Sequence, residues 1–369
     1  MIPLKLKADF ESKSAPYVVK LLPTESSGAD GDGVASVREL SPGILTCTSS
    51  NGVFTYYLQG DNEWHGDVVL CIPEAGRVER LFRANSKNNT LLFTERCDQL
   101  CVMCSQPPRE IDSAWRLPLY EQALGLVEPN SIIGISGGEP TLYKSELLEM
   151  LNRLGDQRSD LVFHILTNAQ HFSESDRPLL KEVHAKLKVI WGVPLYSASK
   201  VEHDLIVGKE GAFDPLIKNL FLLASTNANI ELRTVLTGLN ALDLPSLSSF
   251  VSRHLSFIST WAIMATEPIG FAKANHHRVF FDHSIMPQPI CSAIDICEIR
   301  GVSVKLFNFP LCTIPGPYRQ FCAQSISDWK TKYLKICDSC SQRTSCCGFF
   351  EWYNDKWKWQ NVEPLGEVG

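Results

Sequence analysis

The chain has 369 residues, 44% hydrophobic and 21% charged, with a formal net charge of −6. That length and apolar content fit a barrel-sized core with additions at its ends, and the acidic balance leaves no electrostatic footprint for nucleic acid. No stretch approaches the ~20 apolar residues of a membrane span, charges occupy the first ten residues where a secretion signal would be apolar, and 13 cysteines in such a chain argue for metal ligation in a reducing cytoplasm rather than for disulfides.

Residues 1–86 predict a small β domain. Strands are expected at 45–47, 53–59 and 68–72, divided by Ser49-Ser50-Asn51-Gly52 and Gly60-Asp61-Asn62, and 26–33 is expected to be a loose loop. Trp64, His65 and Cys71 read as packing residues. Between residues 87 and 275 strand-like and helix-like stretches alternate, the order that gives an α/β fold with a parallel sheet covered by helices. Strands are expected at 90–93, 132–135, 162–166, 189–193, 230–236 and 260–265, and helices at 117–127, 145–154, 173–187, 213–224 and 245–255. Ser173 is the expected N-cap of the third helix, with Pro178 in its first turn.

The stretch Thr94-Glu95-Arg96-Cys97-Asp98-Gln99-Leu100-Cys101-Val102-Met103-Cys104 brings three thiols into one short loop. Iron–sulfur clusters are normally held by four thiolates, so a C-x3-C-x2-C loop with no obvious fourth ligand nearby suggests a cubane with one iron left to something other than protein. A structural zinc site usually shows two C-x2-C-type pairs close together, and a disulfide framework belongs in a small secreted chain. Further on, an apolar run stops at Gly137-Gly138-Glu139-Pro140. Its glycines permit a close backbone approach, and Glu139 offers an acceptor for an ammonium group. Alone, this tetrapeptide also reads as a plain strand-to-helix turn.

Together the two motifs resemble the signature of the radical S-adenosylmethionine (SAM) enzymes. The resemblance implies a partial (β/α)6 barrel with its chemistry at the strand C-termini, a [4Fe–4S] cluster on Cys97, Cys101 and Cys104, and SAM as cofactor, its amine bound by Gly137, Gly138 and Glu139. It further implies an external electron donor and cleavage of SAM to a 5′-deoxyadenosyl radical that removes a hydrogen from substrate. At the strand ends, Asn168 follows the third strand, Tyr196 and Ser197 the fourth, Arg233 and Thr237 lie on or after the fifth, and Glu267 and Gly270 follow the sixth. In the superfamily such positions contact SAM. Here Asn168 reads equally as a cap or turn residue, and Arg233 either as a SAM carboxylate contact or as the partner of a carboxylate inside the barrel. Glu267 is a further candidate.

Residues 276–369 carry the other cysteines. A strand is expected at 302–307 before Cys312, and a helix at 326–334 before Cys337-Asp338-Ser339-Cys340 and Cys346-Cys347. Cys312, Cys337, Cys340 and Cys346 form a four-ligand set for zinc or a second [4Fe–4S] cluster, with Cys347 competing with Cys346. Cys291, Cys297 and Cys322 read as packing residues. In a radical SAM chain this arrangement resembles the twitch or SPASM extensions, which implies an auxiliary [4Fe–4S] cluster.

A narrower resemblance rests on Phe93-Thr94-Glu95-Arg96-Cys97, Cys104-Ser105-Gln106-Pro107-Pro108, Trp191-Gly192-Val193-Pro194-Leu195-Tyr196 and Ile326-Ser327-Asp328-Trp329. These look like HxsC, the radical SAM maturases of His-Xaa-Ser systems, over roughly residues 80–352, with a departure at Cys347 where glycine is expected. The likeness implies a ribosomally made peptide substrate with His-Xaa-Ser repeats and a second radical SAM maturase as partner. The resulting expectation is a peptide-modifying radical SAM enzyme. The alternatives are a radical SAM enzyme working on a small molecule or nucleotide in cofactor biosynthesis, and a non-catalytic, cluster-bearing peptide-binding partner, against which the intact Cys97, Cys101, Cys104 and Glu139 speak. The N-terminal domain is expected either to pair edge-on with an extended leader peptide or to be a structural cap.

Overall fold

The computed structural model describes residues 4–25, 33–58 and 63–366. Most of the expected 26–33 loop, the strand end at Gln59 and the turn at 60–62 lie outside them. The N-terminal domain is a closed barrel of seven strands: β1 (Lys5–Phe10), β2 (Tyr17–Pro23), β3 (Val34–Ser41), β4 (Ile44–Ser49), β5 (Gly52–Tyr57), β6 (Val68–Ile72) and β7 (Arg77–Phe82). Their order is β1-β5-β4-β3-β2-β6-β7, and β1 closes the ring by pairing antiparallel with both β5 and β7. Phe54, Tyr56, Cys47 and Cys71 fill its interior. A closed barrel has no unpaired edge, which overturns the expectation that a leader peptide adds a strand here. The domain is not a separate body either, because Val18, Val68, Leu70, Ile72 and Phe82 belong to one buried cluster with the following sheet and its helices.

The sheet that follows is parallel throughout. Its strands are β8 (Asn89–Thr94), β9 (Ile132–Gly137), β10 (Val162–Leu166), β11 (Lys188–Pro194), β12 (Asn229–Leu236), β13 (Thr260–Ala265), β14 (Val304–Phe307) and β15 (Cys322–Ala323), in chain order across the sheet. The first six match the expected strands, and β14 and β15 extend the sheet beyond the expected six units. Between them run α1 (Leu117–Leu126), α2 (Lys144–Gln157), α3 (Arg177–Lys186), α4 (Lys200–Val207), α5 (Phe213–Ala224), α6 (Leu244–His254), α7 (Gly270–Ala274), α8 (His276–Val279) and α9 (Gln288–Ile299). Strand periodicity sorts the side chains: Phe163, Ile165, Trp191, Ile230 and Leu232 are buried beneath the helices, and His164, Leu166, Glu231 and Arg233, on the alternate positions, are half-buried on the opposite face. Ser173 forms a capping box with Asp176 ahead of α3, and Pro178 occupies its first turn. The fold is therefore α/β, a partial barrel with a small β-barrel before it and a cysteine-rich extension after it.

The helix expected at 326–334 does not form. The segment makes one 3-10 turn (Asp328–Lys330) and then β16 (Thr331–Lys332), which pairs antiparallel with β17 (Phe349–Phe350). Thr331 Oγ1 donates to the carbonyls of Ile326 and Ser327 at 3.1 and 3.0 Å, a local side-chain bond that competes with helix continuation. The extension is fastened to the rest of the chain by Arg83, which donates to both oxygens of Asp328 at 3.0 and 2.8 Å, and by Lys330, which reaches Glu267 at 3.0 Å. Among the described residues no helix is long and apolar enough to cross a membrane.

Candidate active site at the strand ends

The cysteine loop leaves the end of β8 and the glycine motif leaves the end of β9, and the two are joined by backbone. Gly138 N donates to Thr94 O at 2.8 Å, and Glu139 N donates to Arg96 O at 2.7 Å. Glycine is required at this seam. Gly137 has φ +144°, and a β-carbon on Gly138 would stand 2.0 Å from Arg96 O and 3.1 Å from the Cys97 β-carbon. The far side of the loop is held by α4, through Leu100 N to Val207 O at 3.0 Å and Val102 N to Ile206 O at 2.9 Å. On its other flank Phe271 N donates to Cys104 O at 2.8 Å and Asn275 Nδ2 to Val102 O at 2.9 Å. Cys97, Cys101 and Cys104 are half-buried. Burial pushes the Cys97 thiol up to about 12, with the charges of Glu139, Asp98 and Cys104 adding to it, and raises Cys101 and Cys104 as well.

Glu139 is 1% exposed. Its Oε1 accepts from Thr141 N at 2.8 Å, Thr167 Oγ1 at 2.6 Å and the Thr141 hydroxyl, and its Oε2 accepts from Asn168 N at 2.6 Å. Burial nonetheless raises its pKa. A carboxylate has about four lone-pair sites, so a ligand ammonium would share an acceptor that already joins the ends of β9 and β10. The sequence motif shows the carboxylate and conceals this second duty.

Asn168 also has a double role. Its Oδ1 accepts from Gln170 N at 3.0 Å, the turn reading, and its Nδ2 donates to Asp98 Oδ1 at 2.8 Å inside the cysteine loop. Asp98 further binds Lys209 and lies 3.3 Å from His171 Nε2, and these donors hold its carboxyl well below the usual range despite burial. Arg233 pairs with Glu231 on its own strand and contacts Met264 Sδ at 3.1 Å, and Glu231 lies 3.2 Å from His164 Nε2. Arg233 thus has the carboxylate partner that was one of its two sequence readings. Glu267 pairs with Lys330. The sequence pointed to neither Asp98 nor Thr167, His171, Lys209 and His164. Asp98 could have been suspected from its place between Cys97 and Cys101, whereas the others are gathered only by the barrel.

In the extension Cys312, Cys337, Cys340 and Cys346 line one pocket with Leu311, Ile336 and Phe349, and it is partly open to solvent. Backbone N–H groups point at the sulfurs: Leu311 N and Gly348 N each lie 3.4 Å from Cys346 Sγ, and Leu365 N lies 3.4 Å from Cys340 Sγ. The Cys347 thiol has two acceptors in reach, Cys346 Sγ and Gly348 O at 3.4 Å. Its donation, with the two amides, brings Cys346 down to about 6. Cys347 itself is 5% exposed and does not line the pocket. Cys297, on the inner face of α9, is packed in the core, and Cys322 sits on β15, where burial first and then the charge of Cys346 raise its pKa to about 12.

Among the described residues no three His, Cys, Asp or Glu side chains converge tightly enough to hold a single metal ion. Soft thiolate donors of this kind suit iron–sulfur clusters, and amides aimed at the sulfurs, as at Cys340 and Cys346, are among the groups that tune them. The residues present fit such a group in both places.

No family model matches the sequence, and no curated protein matches it. Solved structures do. SuiB of Streptococcus suis bound to S-adenosylmethionine is 18% identical with a TM-score of 0.47, the match covering 59% of this chain and 49% of SuiB. Native anSMEcpe with bound AdoMet and the Cp18Cys peptide is 15% identical with a TM-score of 0.40, covering 58% of this chain and 62% of that one. A domain of pyruvate-formate lyase-activating enzyme from Bacteroides vulgatus is 15% identical with a TM-score of 0.36, covering 47% and 96%. The match spans about half the length of SuiB.

Proposed function

We infer that the chain is a radical SAM enzyme that modifies a ribosomally made peptide, with Cys97, Cys101 and Cys104 holding the catalytic [4Fe–4S] cluster and Gly137, Gly138 and Glu139 binding the SAM amine. The observation that carries this reading is the backbone seam between the cysteine loop and the glycine motif, which sets a three-thiol loop and a buried carboxylate side by side at adjacent strand ends. Cys97, Cys101 and Cys104 would hold a cluster that, when bound and reduced, would supply the one-electron reduction of SAM. The chain's own work is to hold and orient. Gly138 and Glu139 fix the distance from the cluster loop to the ammonium, and Asn168 and Asp98 tie that loop to β10. Arg233 would meet the SAM carboxylate by giving up Glu231. Cys312, Cys337, Cys340 and Cys346 would hold an auxiliary cluster in the pocket of the extension. The peptide substrate, with His-Xaa-Ser repeats, is supported by the sequence resemblance on both sides of the barrel, at residues 93–97 and 326–329, and a second radical SAM maturase would be its companion in the cytoplasm.

The test is anaerobic reconstitution. The full chain should bind about eight irons as two cubanes and convert SAM to 5′-deoxyadenosine with a chemical reductant. The Cys97, Cys101 and Cys104 triple Ala variant should keep about four irons and cleave no SAM. A deuterated His-Xaa-Ser repeat peptide should pass its label to 5′-deoxyadenosine. Zinc in place of iron in the triple variant would overturn the auxiliary assignment, and label transfer from a nucleotide instead of the peptide would overturn the substrate.

A further inference from the structure

The cysteine loop has an outer surface, and that surface is apolar. Leu100, between the ligand candidates Cys97 and Cys101, is 57% exposed, and on α4 Val201 is 78% and Leu205 is 55% exposed. Val201 and Leu205 are spaced i, i+4 and share one helix face. Just past the helix Gly208, its left-handed C-cap, has no side chain, and a β-carbon there would lie 3.2 Å from the Leu100 β-carbon and 2.6 Å from Leu100 O. Leu100 therefore takes the vacant place and completes a stripe running from α4 onto the loop. The inward face of α4 is already occupied, with His203, Ile206 and Val207 buried, so the exposed stripe takes no part in the core.

The flanks of this stripe are basic in a chain whose formal charge is −6. Lys209 is half-exposed beside Asp98. On the other flank of the loop, where Asn275 holds Val102, Lys273 is exposed and Arg278 half-exposed, and the ion pairs among the described residues include neither. The acids of α4 face elsewhere: Glu202 accepts from Ser197 Oγ at 2.7 Å, and Asp204 accepts from Gly211 N at 2.7 Å and Phe213 N at 2.9 Å. Of the neighbouring acids Glu210 and Asp214 are exposed, and Asp214 is paired with Lys200 at the start of α4. Contiguous exposed aliphatic side chains mark interaction sites, and a charged rim selects and steers a partner of opposite sign.

We propose that the Val201, Leu205 and Leu100 stripe with its basic flanks is the docking surface of the protein that delivers the reducing electron, a small acidic carrier with a low-potential iron–sulfur centre near its surface. The proposal rests on the radical SAM reading of the cysteine loop. A partner seated here is separated from the cluster by the ligand loop alone, whereas a substrate must enter on the inner side, at the strand ends. One electron passes, the carrier being oxidised and the cluster of this chain reduced, with the carrier supplied in its reduced form.

The experiment uses the reconstituted full chain, its Val201→Asp/Leu205→Asp and Lys273→Glu/Arg278→Glu variants, and an acidic plant-type [2Fe–2S] ferredoxin as probe. Calorimetry at low salt should show ferredoxin binding the parent chain, weakening as salt rises, and at least tenfold weaker in both variants. Ferredoxin-driven SAM cleavage should fall in step, and cleavage driven by dithionite should stay within twofold of the parent, which also certifies that the variants are folded. No ferredoxin binding to the parent chain, or equal binding by parent and variants, overturns the proposal. Failure of dithionite to drive SAM cleavage in the parent chain would instead sink the catalytic reading, and the binding data would still decide the docking surface.

Discussion

The amide of Glu139 donates to the carbonyl of Arg96 at 2.7 Å, so the glycine motif is fastened to the residue immediately before Cys97. Gly138 lies in the same seam, and the atoms nearest its missing side chain are Arg96 O at 2.0 Å and Arg96 C at 2.4 Å. These are backbone atoms and cannot swing aside. The spacing between the two motifs in sequence is thereby converted into contact in space.

Gly138→Ala should separate the motifs. Overpacking of this kind costs about 1–3 kcal/mol, and because the displaced backbone carries Cys97, the iron content of the reconstituted variant should drop from about eight toward about four while the auxiliary set is retained. Gly125→Ala is the control: Gly125 lies in α1, a β-carbon added there would meet nothing within 4 Å, and exchanging glycine for alanine in a helix should stabilise by about 0.5–1 kcal/mol. Equal iron content in the two variants would show the seam to be unimportant.

Glu139→Gln should lower SAM affinity and stability together. Charge-assisted bonds are worth about 1.5–3 kcal/mol, which at 1.4 kcal/mol per factor of ten predicts ~10- to 100-fold weaker SAM binding. The motif alone suggests a carboxylate that matters for SAM and leaves the protein otherwise intact. The structure adds that it accepts from Thr141, Thr167 and Asn168, so the amide would set an N–H against donors and lower the unfolding midpoint too. A loss of affinity with unchanged stability would mean that these bonds contribute little.

The barrel was legible because its helix-facing strand positions are apolar at period two and its helices at period 3.6; Ile165, Trp191 and Leu232 announce strands wherever they occur. In the N-terminal domain β4, β5 and β6 were legible, but the other strands and the closure into a barrel were not, because strands such as Lys5–Phe10 bury only Leu6 and Ala8 and expose charged residues on the other face, a pattern too short and polar to be separated from loop. α4 was missed for a similar reason: its exposed Val201 and Leu205 spoil the amphipathic pattern. The cysteines were legible through spacing, a local property. Asp98 with His171 and Lys209, and Glu231 with His164, are pairings between distant segments, and nothing local marks them.

Cys346 and Cys347 should separate cleanly by metal content. Cys346 lines the pocket and receives two amides, and Cys347 is buried away from it. Cys346→Ala should cost the auxiliary iron, leaving about four irons per chain. Cys347→Ser should keep about eight and, by replacing a hydrogen-bond donor near a ligand sulfur, shift the auxiliary potential measured by redox titration, since hydrogen bonds to the sulfurs help to set it. Loss of iron in the Cys347 variant alone would exchange the two assignments.

His203 predicts an acid sensitivity. It stacks on Tyr196 at 5.9 Å, meets the edge of Phe213 at 5.7 Å, and its Nδ1 accepts from Tyr196 N at 3.3 Å, which requires a neutral ring. Burial brings its pKa down from 6.5 to about 4. Between those values the unfolded chain holds a proton that the folded chain refuses, so stability falls as pH falls through this window. The slope from one such group approaches about 1.4 kcal/mol per pH unit. His203→Gln can keep an acceptor for the Tyr196 amide and does not titrate. The stability difference between parent and variant, from urea midpoints at pH 7.5 and pH 5.0, should therefore move by about 2 kcal/mol in favour of the variant at the lower pH. Every other titrating group is common to both proteins and cancels in this comparison, so parallel pH dependences would show that His203 charges without cost.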